Sequence, residues 1–127
     1  HWLKATGKSN KKSWLITSKD KLEILANCLD SNWNGKHMPS THCGVYGRGV
    51  GSGYRPDIYT YQRAIEIMDS IHPNFVLINF REPDYSGHKN DWYGYLYGIQ
   101  NSDNYIYNIW KFIESNPHYK GNTTLIR

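Results

Sequence analysis

The sequence has few of the features that assign a protein to a class at first sight. Only two of its 127 residues are cysteine, Cys28 and Cys43, and they are compatible with free thiols or with one disulfide. No apolar run is long enough to cross a membrane, and the amino end has no signal-peptide pattern. A helix-turn-helix, a zinc finger and an aromatic RNA-binding motif are also missing, so we expect neither a membrane nor a nucleic acid as a partner.

Two local clusters carry little information. Cys28, His37, His42 and Cys43 together look like a zinc set, but their spacings match no common structural-zinc pattern. The net charge of +4 comes partly from four lysines near the amino end, at positions 4, 8, 11 and 12. A run of this kind is usually a solvated tail, so the charge does not identify a partner.

The chain has the length of one domain, yet its two ends suggest a part of one. It begins with His1 rather than Met, and it stops inside Thr123–Arg127, which has the pattern of a strand. Natural termini usually lie at the surface rather than in a core strand. We therefore expect residues 1–127 to be a single partial α/β domain, a fragment of a larger one.

The first half of the chain predicts one strand, one helix and one long loop. Trp14–Thr17 is a short apolar strand, and Ser18 offers an N-cap oxygen to a helix whose leucines, at 22, 25 and 29, share a face. Residues 30–55 hold six of the eleven glycines, five of them between positions 44 and 53, and predict a flexible surface loop. A phosphate-binding loop is the alternative, but the segment follows no predicted strand and lacks the usual glycine spacing.

The second half predicts a helix, a strand, a helix and a strand. The first helix begins at Pro56–Asp57, with an apolar stripe at positions 58, 61, 65, 68 and 71. Phe75–Phe80 is an apolar run that predicts a strand buried on both faces. A long helix over Asp91–Ser115 carries Asp103 on its apolar face, where we expect a structural hydrogen bond to the backbone or to a Tyr or Trp. The last strand begins near Thr123.

This alternation predicts an α/β fold, a three-layer sandwich with a mainly parallel sheet between layers of helices. We expect Phe75–Phe80 to be a central parallel strand, joined to the last strand, Thr123–Arg127, by a right-handed crossover. Three short strands make a thin sheet for a chain of this length, which again suggests missing neighbours.

The most informative residues are Asp84 and His88, which follow Phe75–Phe80. The carboxyl end of a strand is where α/β sheets bind ligands, and a carboxylate and an imidazole suit zinc or manganese. We expect Gly87 to let the backbone turn so that His88 swings back towards Asp84, and Pro83 to stiffen the approach. The pattern therefore predicts two side chains that converge as metal ligands.

A family resemblance rests on these residues. Asn79-Phe80 followed by Pro83-Asp84-x-x-Gly87-His88 closely resembles the first-metal motif of the alkaline phosphatase superfamily. That group includes phosphatases, phosphodiesterases, phosphomutases and sulfatases. The resemblance implies a partial alkaline-phosphatase-like domain from a metal-dependent hydrolase of phosphate or sulfate esters. It also implies that Asp84 and His88 are ligands of one metal in a bimetal site.

The same resemblance implies a cofactor and partners. The metal would be zinc, with manganese as an alternative, or calcium if the protein is sulfatase-like. A histidine ligand favours the two-metal enzymes, since sulfatases bind calcium through oxygen ligands. The partners would be a small-molecule ester substrate and the rest of the parent catalytic domain. No residue of this chain matches the nucleophile motif, so we expect the fragment alone to be inactive.

A second hypothesis comes from the aromatic residues, of which eleven are Tyr and five are Trp. The chain would then be a non-catalytic binding module for a sugar or a peptide. Its platforms would be formed by Tyr93, Tyr95, Tyr97, Tyr107 and Trp33. Such a module would not need a metal, so metal titration separates the two hypotheses. A structural domain whose motif is accidental is the third alternative.

Overall fold

The computed structural model describes residues 10–27 and 30–127. Two of the amino-terminal lysines, Cys28 and Leu29 lie outside these ranges, so the predictions that fall on them have no structural outcome. The chain divides into two compact units, His1–Arg81 and Glu82–Arg127. The prediction of a single partial domain stays a prediction.

The first unit is built on a parallel three-stranded sheet. Its strands are β1 (Ser13–Thr17), β2 (Ser40–Cys43) and β3 (Phe75–Asn79), in the order β2-β1-β3. In this register Leu15 lies opposite Thr41 of β2 and Leu77 of β3. β1 is therefore the central strand, which is why four of its five residues are buried.

Helical elements cover both faces of this sheet. The α-helix α1 (Asp57–Ile71) packs on the face of Ile16, and the 3₁₀ helix η1 (Asp20–Ala26) packs on the face of Leu15. The two apolar clusters are Ile16 with Ala64 and Ile67, and Leu15 with Ala26 and Cys43. Because successive strand residues point to opposite faces, one central strand serves both layers. Complete burial of Ile16 alone stabilises the unit by about 2 to 3 kcal/mol. The predicted three-layer α/β arrangement with a parallel sheet is confirmed.

The helix after β1 differs from the prediction in type and in cap. It is a 3₁₀ helix preceded by Lys19, with no side-chain cap, and Ser18 makes buried hydrogen bonds elsewhere. Leu25 is 55% exposed, so the predicted leucine face is wrong. The side chain that turns inward is Asp20, because it binds backbone amides of a neighbouring loop.

The segment predicted as one long loop contains β2 and a short 3₁₀ helix, η2 (Val45–Gly47). The β2 sequence, Ser-Thr-His-Cys, has no apolar run, and only Cys43 is buried. The strand forms because it pairs with β1. β2 ends directly before Gly44, so the prediction that the glycine-rich segment follows no strand is wrong.

α1 begins at Asp57 as predicted, and its buried face includes Met68 of the predicted stripe but otherwise differs from it. The buried residues are Asp57, Thr60, Ala64, Ile67 and Met68. Ile58, at the start of the predicted stripe, is 37% exposed. The true face contains small and polar residues, which a search for large apolar side chains overlooks.

β3 is an edge strand of the described sheet rather than a central one. Phe75 and Leu77 are 56% and 38% exposed, so burial on both faces was wrongly predicted. Val76 and Ile78, which alternate with them, pack towards the cluster under α1. An apolar run permits burial on both faces, but only one face of β3 is covered by described residues.

The second unit contains two α-helices, α2 (Asp84–His88) and α3 (Trp92–Ser115). The carboxylate of Asp91 caps α3 by accepting a hydrogen bond from the backbone N–H of Gly94 at 2.9 Å. Thr123–Arg127 forms no strand, so its predicted pairing with Phe75–Phe80 is wrong. A strand needs a partner for its backbone groups, and no described strand pairs with this segment. No helix in the described ranges is long and apolar enough to cross a membrane.

Asp103 lies on α3 but not on a buried face. Its side chain is 70% exposed, and Oδ1 lies 3.4 Å from Nη1 of Arg127, which is equally exposed. The expected backbone or aromatic partner is thus replaced by an exposed ion pair, which contributes about 0 to 1 kcal/mol. The predicted apolar face failed because the buried residues of α3 are Gly98, Ile109 and Ile113.

Candidate functional site

Asp84 and His88 are the first and last residues of α2. A separation of four residues places two side chains on the same side of a helical turn. His88 Nε2 lies 3.4 Å from Asp84 Oδ1, and the side chains are 81% and 55% exposed, respectively. The two side chains converge, as expected from the sequence, whereas their role as metal ligands stays a prediction.

The helical turn, rather than a glycine bend, brings the two side chains together. Gly87 has ordinary helical geometry, so the prediction of a sharp turn at Gly87 is wrong. The buried residue of the turn is Ser86, whose N–H donates to Glu82 Oε2 at 3.1 Å and whose carbonyl accepts from the N–H of Asp91 at 3.0 Å. The inner side of α2 is therefore anchored, and the Asp84–His88 side is open.

Gly98 of α3 lets that helix pack closely against the residues before α2. A Cβ at Gly98 would lie 2.8 Å from Cβ of Glu82 and 3.3 Å from Cα of Pro83. Any larger residue would push α3 away from this segment. The residues directly before α2 are therefore tightly packed against α3 within the second unit.

The donor pair fits a divalent metal. A carboxylate oxygen and an imidazole nitrogen are ordinary ligands of zinc and manganese. Two ligands that each lie ~2.0 to 2.2 Å from a tetrahedral zinc are separated by about 3.3 to 3.6 Å. The distance between His88 Nε2 and Asp84 Oδ1 is 3.4 Å, which lies within this range.

Asp84 and His88 do not belong to a larger group of candidate ligands among the described residues. Within residues 10–27 and 30–127, no group of three or more His, Cys, Asp and Glu side chains could hold a metal. This finding covers His37, His42 and Cys43, whereas Cys28, the fourth member of that set, lies outside the described residues. Further ligands for Asp84 and His88 would have to come from outside the described residues.

A second polar cluster lies in the first unit and is buried. Arg55 Nε donates to Thr60 Oγ1 at 2.8 Å, and Ser18 Oγ donates to Asp57 Oδ1 at 2.5 Å. The two hydroxyl oxygens are 2.6 Å apart. Because the only Ser18 hydroxyl proton goes to Asp57, the Thr60 hydroxyl must donate to Ser18. One directional chain of hydrogen bonds thus runs from a buried guanidinium to a buried carboxylate.

This buried network connects several elements of the first unit. Arg55 Nη1 lies 2.6 Å from His42 Nδ1, and Nη2 donates to the His42 carbonyl at 3.1 Å. At the other end, Asp57 Oδ1 accepts the backbone N–H of Arg81 at 2.7 Å. The network joins the ends of β1 and β2 to the start of α1 and to the residue that closes the unit. Because the network pairs its donors and acceptors across several elements, we interpret it as structural.

The glycine-rich loop, residues 44–53, binds carboxylates of its own chain. Asp20 Oδ2 accepts the N–H groups of Gly51 and Gly53, both at 2.9 Å, and Glu23 Oε2 accepts that of Val50 at 3.0 Å. The hydrogen bond from the Gly53 amide is the main cause that lowers the pKa of Asp20. A phosphate-binding loop would offer these amides to its ligand, so the geometry does not support that alternative.

Sequence reasoning missed the buried network. Ser18 was predicted to cap a helix, and no role was predicted for the polar residue Thr60. A signal existed, since Thr60 and Ala64 are four residues apart and therefore share a face of α1 with Asp57. A polar residue on such a face predicts a buried hydrogen bond, and Arg55 and Ser18 supply it.

Comparison with known proteins identifies the family. A family model described as the metalloenzyme superfamily matches residues 2–120, which include Asp84 and His88. No curated protein and no solved structure matches the chain significantly. The family match agrees with the parallel α/β sheet and with the motif that resembles a first-metal site. The chain therefore belongs to the metalloenzyme superfamily, a group of alkaline-phosphatase-like enzymes that use a divalent metal.

Proposed function

We propose that Asp84 and His88 bind one divalent metal of a bimetal site in an enzyme that hydrolyses phosphate or sulfate esters. The supporting observation is the 3.4 Å separation of two exposed donor atoms, in a chain that belongs to a metal-dependent superfamily. The anchored side of α2 holds the turn, so the two ligands reach the metal from a preformed position.

The two residues contribute differently. Asp84 brings a negative charge and two acceptor oxygens, whereas His88 brings a nitrogen lone pair that exists only on the neutral imidazole. When bound, the metal would activate a nucleophile or stabilise the leaving oxygen of an in-line displacement.

Zinc is the preferred metal for this pair. Imidazole nitrogen suits zinc and manganese, whereas calcium prefers a shell of oxygen ligands. The histidine therefore favours phosphate esters and two-metal chemistry over the calcium-dependent sulfatase type. Because the remaining ligands and the nucleophile are assigned to no residue of this chain, we expect the chain alone to be inactive.

Hydrolysis by the parent protein tests the proposal. The substrates are an aryl phosphate, an aryl phosphodiester and an aryl sulfate, supplied after chelation and addition of zinc, manganese or calcium. Asp84→Asn and His88→Ala should each lower turnover by orders of magnitude, because each removes a ligand. The substrate with the highest turnover identifies the ester class.

Two matched variants control for the loss of a carboxylate or an imidazole. Asp103→Asn and His118→Ala remove the same groups from exposed positions of the same unit. Both should leave turnover unchanged. Turnover that is indifferent to chelation would contradict the proposed chemistry. Turnover that needs metal but tolerates both site substitutions would contradict the ligand assignment.

A further inference from the structure

His42 is a titratable group at the edge of the buried network. It lies on β2, where its register partner on β1 is the apolar Ile16. The ring also packs against η2, since a Cβ at Gly47 would lie 2.5 to 2.8 Å from three ring atoms. His42 thus contacts the start of the glycine-rich loop as well as Arg55.

The contact with Arg55 decides which nitrogen of His42 carries a proton. A guanidinium has donors and no acceptor, and it stays charged in proteins. Arg55 Nη1 must therefore donate to His42 Nδ1, at 2.6 Å. Nδ1 can accept only if it is unprotonated, so His42 is the neutral tautomer with its proton on Nε2.

The charge of the network is balanced only while His42 is neutral. Arg55 and Asp57 are 4% and 8% exposed, and the hydroxyl groups of Thr60 and Ser18 link them. One buried cation is thus matched by one buried carboxylate. A proton on His42 Nδ1 would remove an acceptor from Arg55 and place a second cation beside it.

We propose that His42 and Arg55 form an acid-sensitive latch between β2 and the start of α1, which is closed while His42 is neutral and opens when His42 is protonated. The opened latch weakens the attachment of Arg55 to β2, because the Nη1 bond to His42 Nδ1 is lost while the Nη2 bond to the His42 carbonyl remains. Because the His42 ring also supports Gly47, opening loosens the glycine-rich loop at the same time. The latch makes the first unit sensitive to mild acid independently of any metal.

The groups around His42 have opposing effects on its pKa, and the net effect lowers it. Burial is the largest cause that lowers the pKa of His42, followed by the charges of Arg55 and Arg63, while Glu66 opposes them. From η1, the carboxylate of Glu23 is held by Thr41, the neighbour of His42, at 2.9 Å. The surrounding cations therefore outweigh the acids.

The sign of the pH effect follows from that lowered pKa. In the unfolded chain the imidazole titrates near its usual value of about 6.5, and in the folded chain it titrates below that value. Between the two values the unfolded state binds more protons, so acid favours unfolding. The latch stabilises the unit fully above about pH 6.5 and progressively less below it.

Thermal unfolding of the full chain at pH 7.5 and at pH 5.5 tests the latch. The matched variant is His42→Gln, because a glutamine oxygen accepts from Arg55 and does not titrate. The wild-type midpoint should fall at pH 5.5 by about 4 °C more than that of His42→Gln, which is the size of one lost interaction in a unit this small. His118→Gln, which removes an exposed histidine of the other unit, should behave as wild type.

A second measurement keeps the test decisive if His42→Gln folds poorly. In the wild-type chain, nitrogen chemical shifts of the His42 ring at pH 7.5 should report a bare Nδ1 and a protonated Nε2. At pH 5.5, amide exchange of residues 44–53 should accelerate several-fold beyond the intrinsic effect of pH. A protonated Nδ1 at pH 7.5, or equal pH responses of wild type and His42→Gln, would overturn the proposal.

Discussion

The two polar clusters of this chain differ in how their hydrogen-bonding groups are used. In the first unit, the buried chain from Arg55 to Asp57 pairs donors and acceptors within the protein. In the second unit, Asp84 and His88 are exposed and point their donor atoms towards each other across 3.4 Å. In the first arrangement the polar groups bond to one another and stabilise the fold, whereas in the second the side chains are exposed to solvent. This difference is why we propose a metal site on α2 rather than at the buried network.

The comparison also shows that resemblance to a known motif and support of the fold are separate properties of a polar residue. Asp84 and His88 were found from the sequence because they resemble a metal motif, although they support little of the fold. Ser18, Thr60 and Arg55 resemble no motif, although they connect β1, β2 and α1. Substitutions should therefore affect stability in the first unit and metal binding in the second.

The largest effect is expected at Asp57. Asp57→Ala would leave Arg55 without its buried counter-charge and would leave Ser18 Oγ and the Arg81 N–H without an acceptor. Removal of one partner from a buried charge pair costs about 3 to 5 kcal/mol. Denaturant unfolding of Asp57→Ala measures this loss, with Asp103→Ala as the exposed control. A loss below ~1 kcal/mol would show that the network does not hold the unit.

An intermediate effect is expected in the glycine-rich loop. Gly49 and Gly51 both have positive φ, at 79° and 87°, so alanine strains either position by about 1 to 2 kcal/mol. A Cβ at Gly49 would also overlap the carboxylate of Glu23, whose oxygens accept hydrogen bonds from Val50 and Thr41. A Cβ at Gly51 would have no atom within 4 Å. Gly49→Ala should therefore destabilise by about 1 to 3 kcal/mol more than Gly51→Ala. Equal free energies of unfolding would mean that Glu23 does not clamp the loop.

The smallest effect on stability is expected at the candidate metal ligands. Asp84→Asn and His88→Ala alter exposed side chains whose mutual contact is partly solvated. Each should change the free energy of unfolding of the metal-free chain by less than about 0.5 kcal/mol. Unfolding curves recorded with chelator check this expectation. A loss comparable with that of Asp57→Ala would make the pair a structural one and would remove the contrast between the two clusters.

Much of the fold could be predicted from local patterns. The apolar runs located β1 and β3, and the 3.6-residue periodicity located α1 and α3, because these signals are local. β2 could not be found in this way, since its residues are polar and it forms only by pairing with β1. The edge position of β3 was missed for the same reason, because an apolar run does not reveal which neighbours cover it.

The convergence of Asp84 and His88 was predicted better than the buried faces of the helices, whereas their role as metal ligands stays a prediction. Four-residue spacing brought Asp84 and His88 together, although the turn is a short helix rather than a bend at Gly87. The buried network was not predicted, because most of its hydrogen bonds join residues that are far apart in sequence. The bond between Ser18 and Asp57 spans 39 positions, although that between Arg55 and Thr60 spans five. The polar position of Thr60 on the buried face of α1 is a local signal, but its long-range partner is a property of the folded chain.

The central claim is that Asp84 and His88 are ligands of one metal in a two-metal enzyme. Its most direct test is the metal content of the purified parent protein, in moles of zinc or manganese per mole of protein. The double variant Asp84→Asn/His88→Ala should lose at least one metal equivalent, while the matched double variant Asp103→Asn/His118→Ala should keep the wild-type content. Unchanged metal content in the Asp84→Asn/His88→Ala protein, correctly folded, would contradict the account.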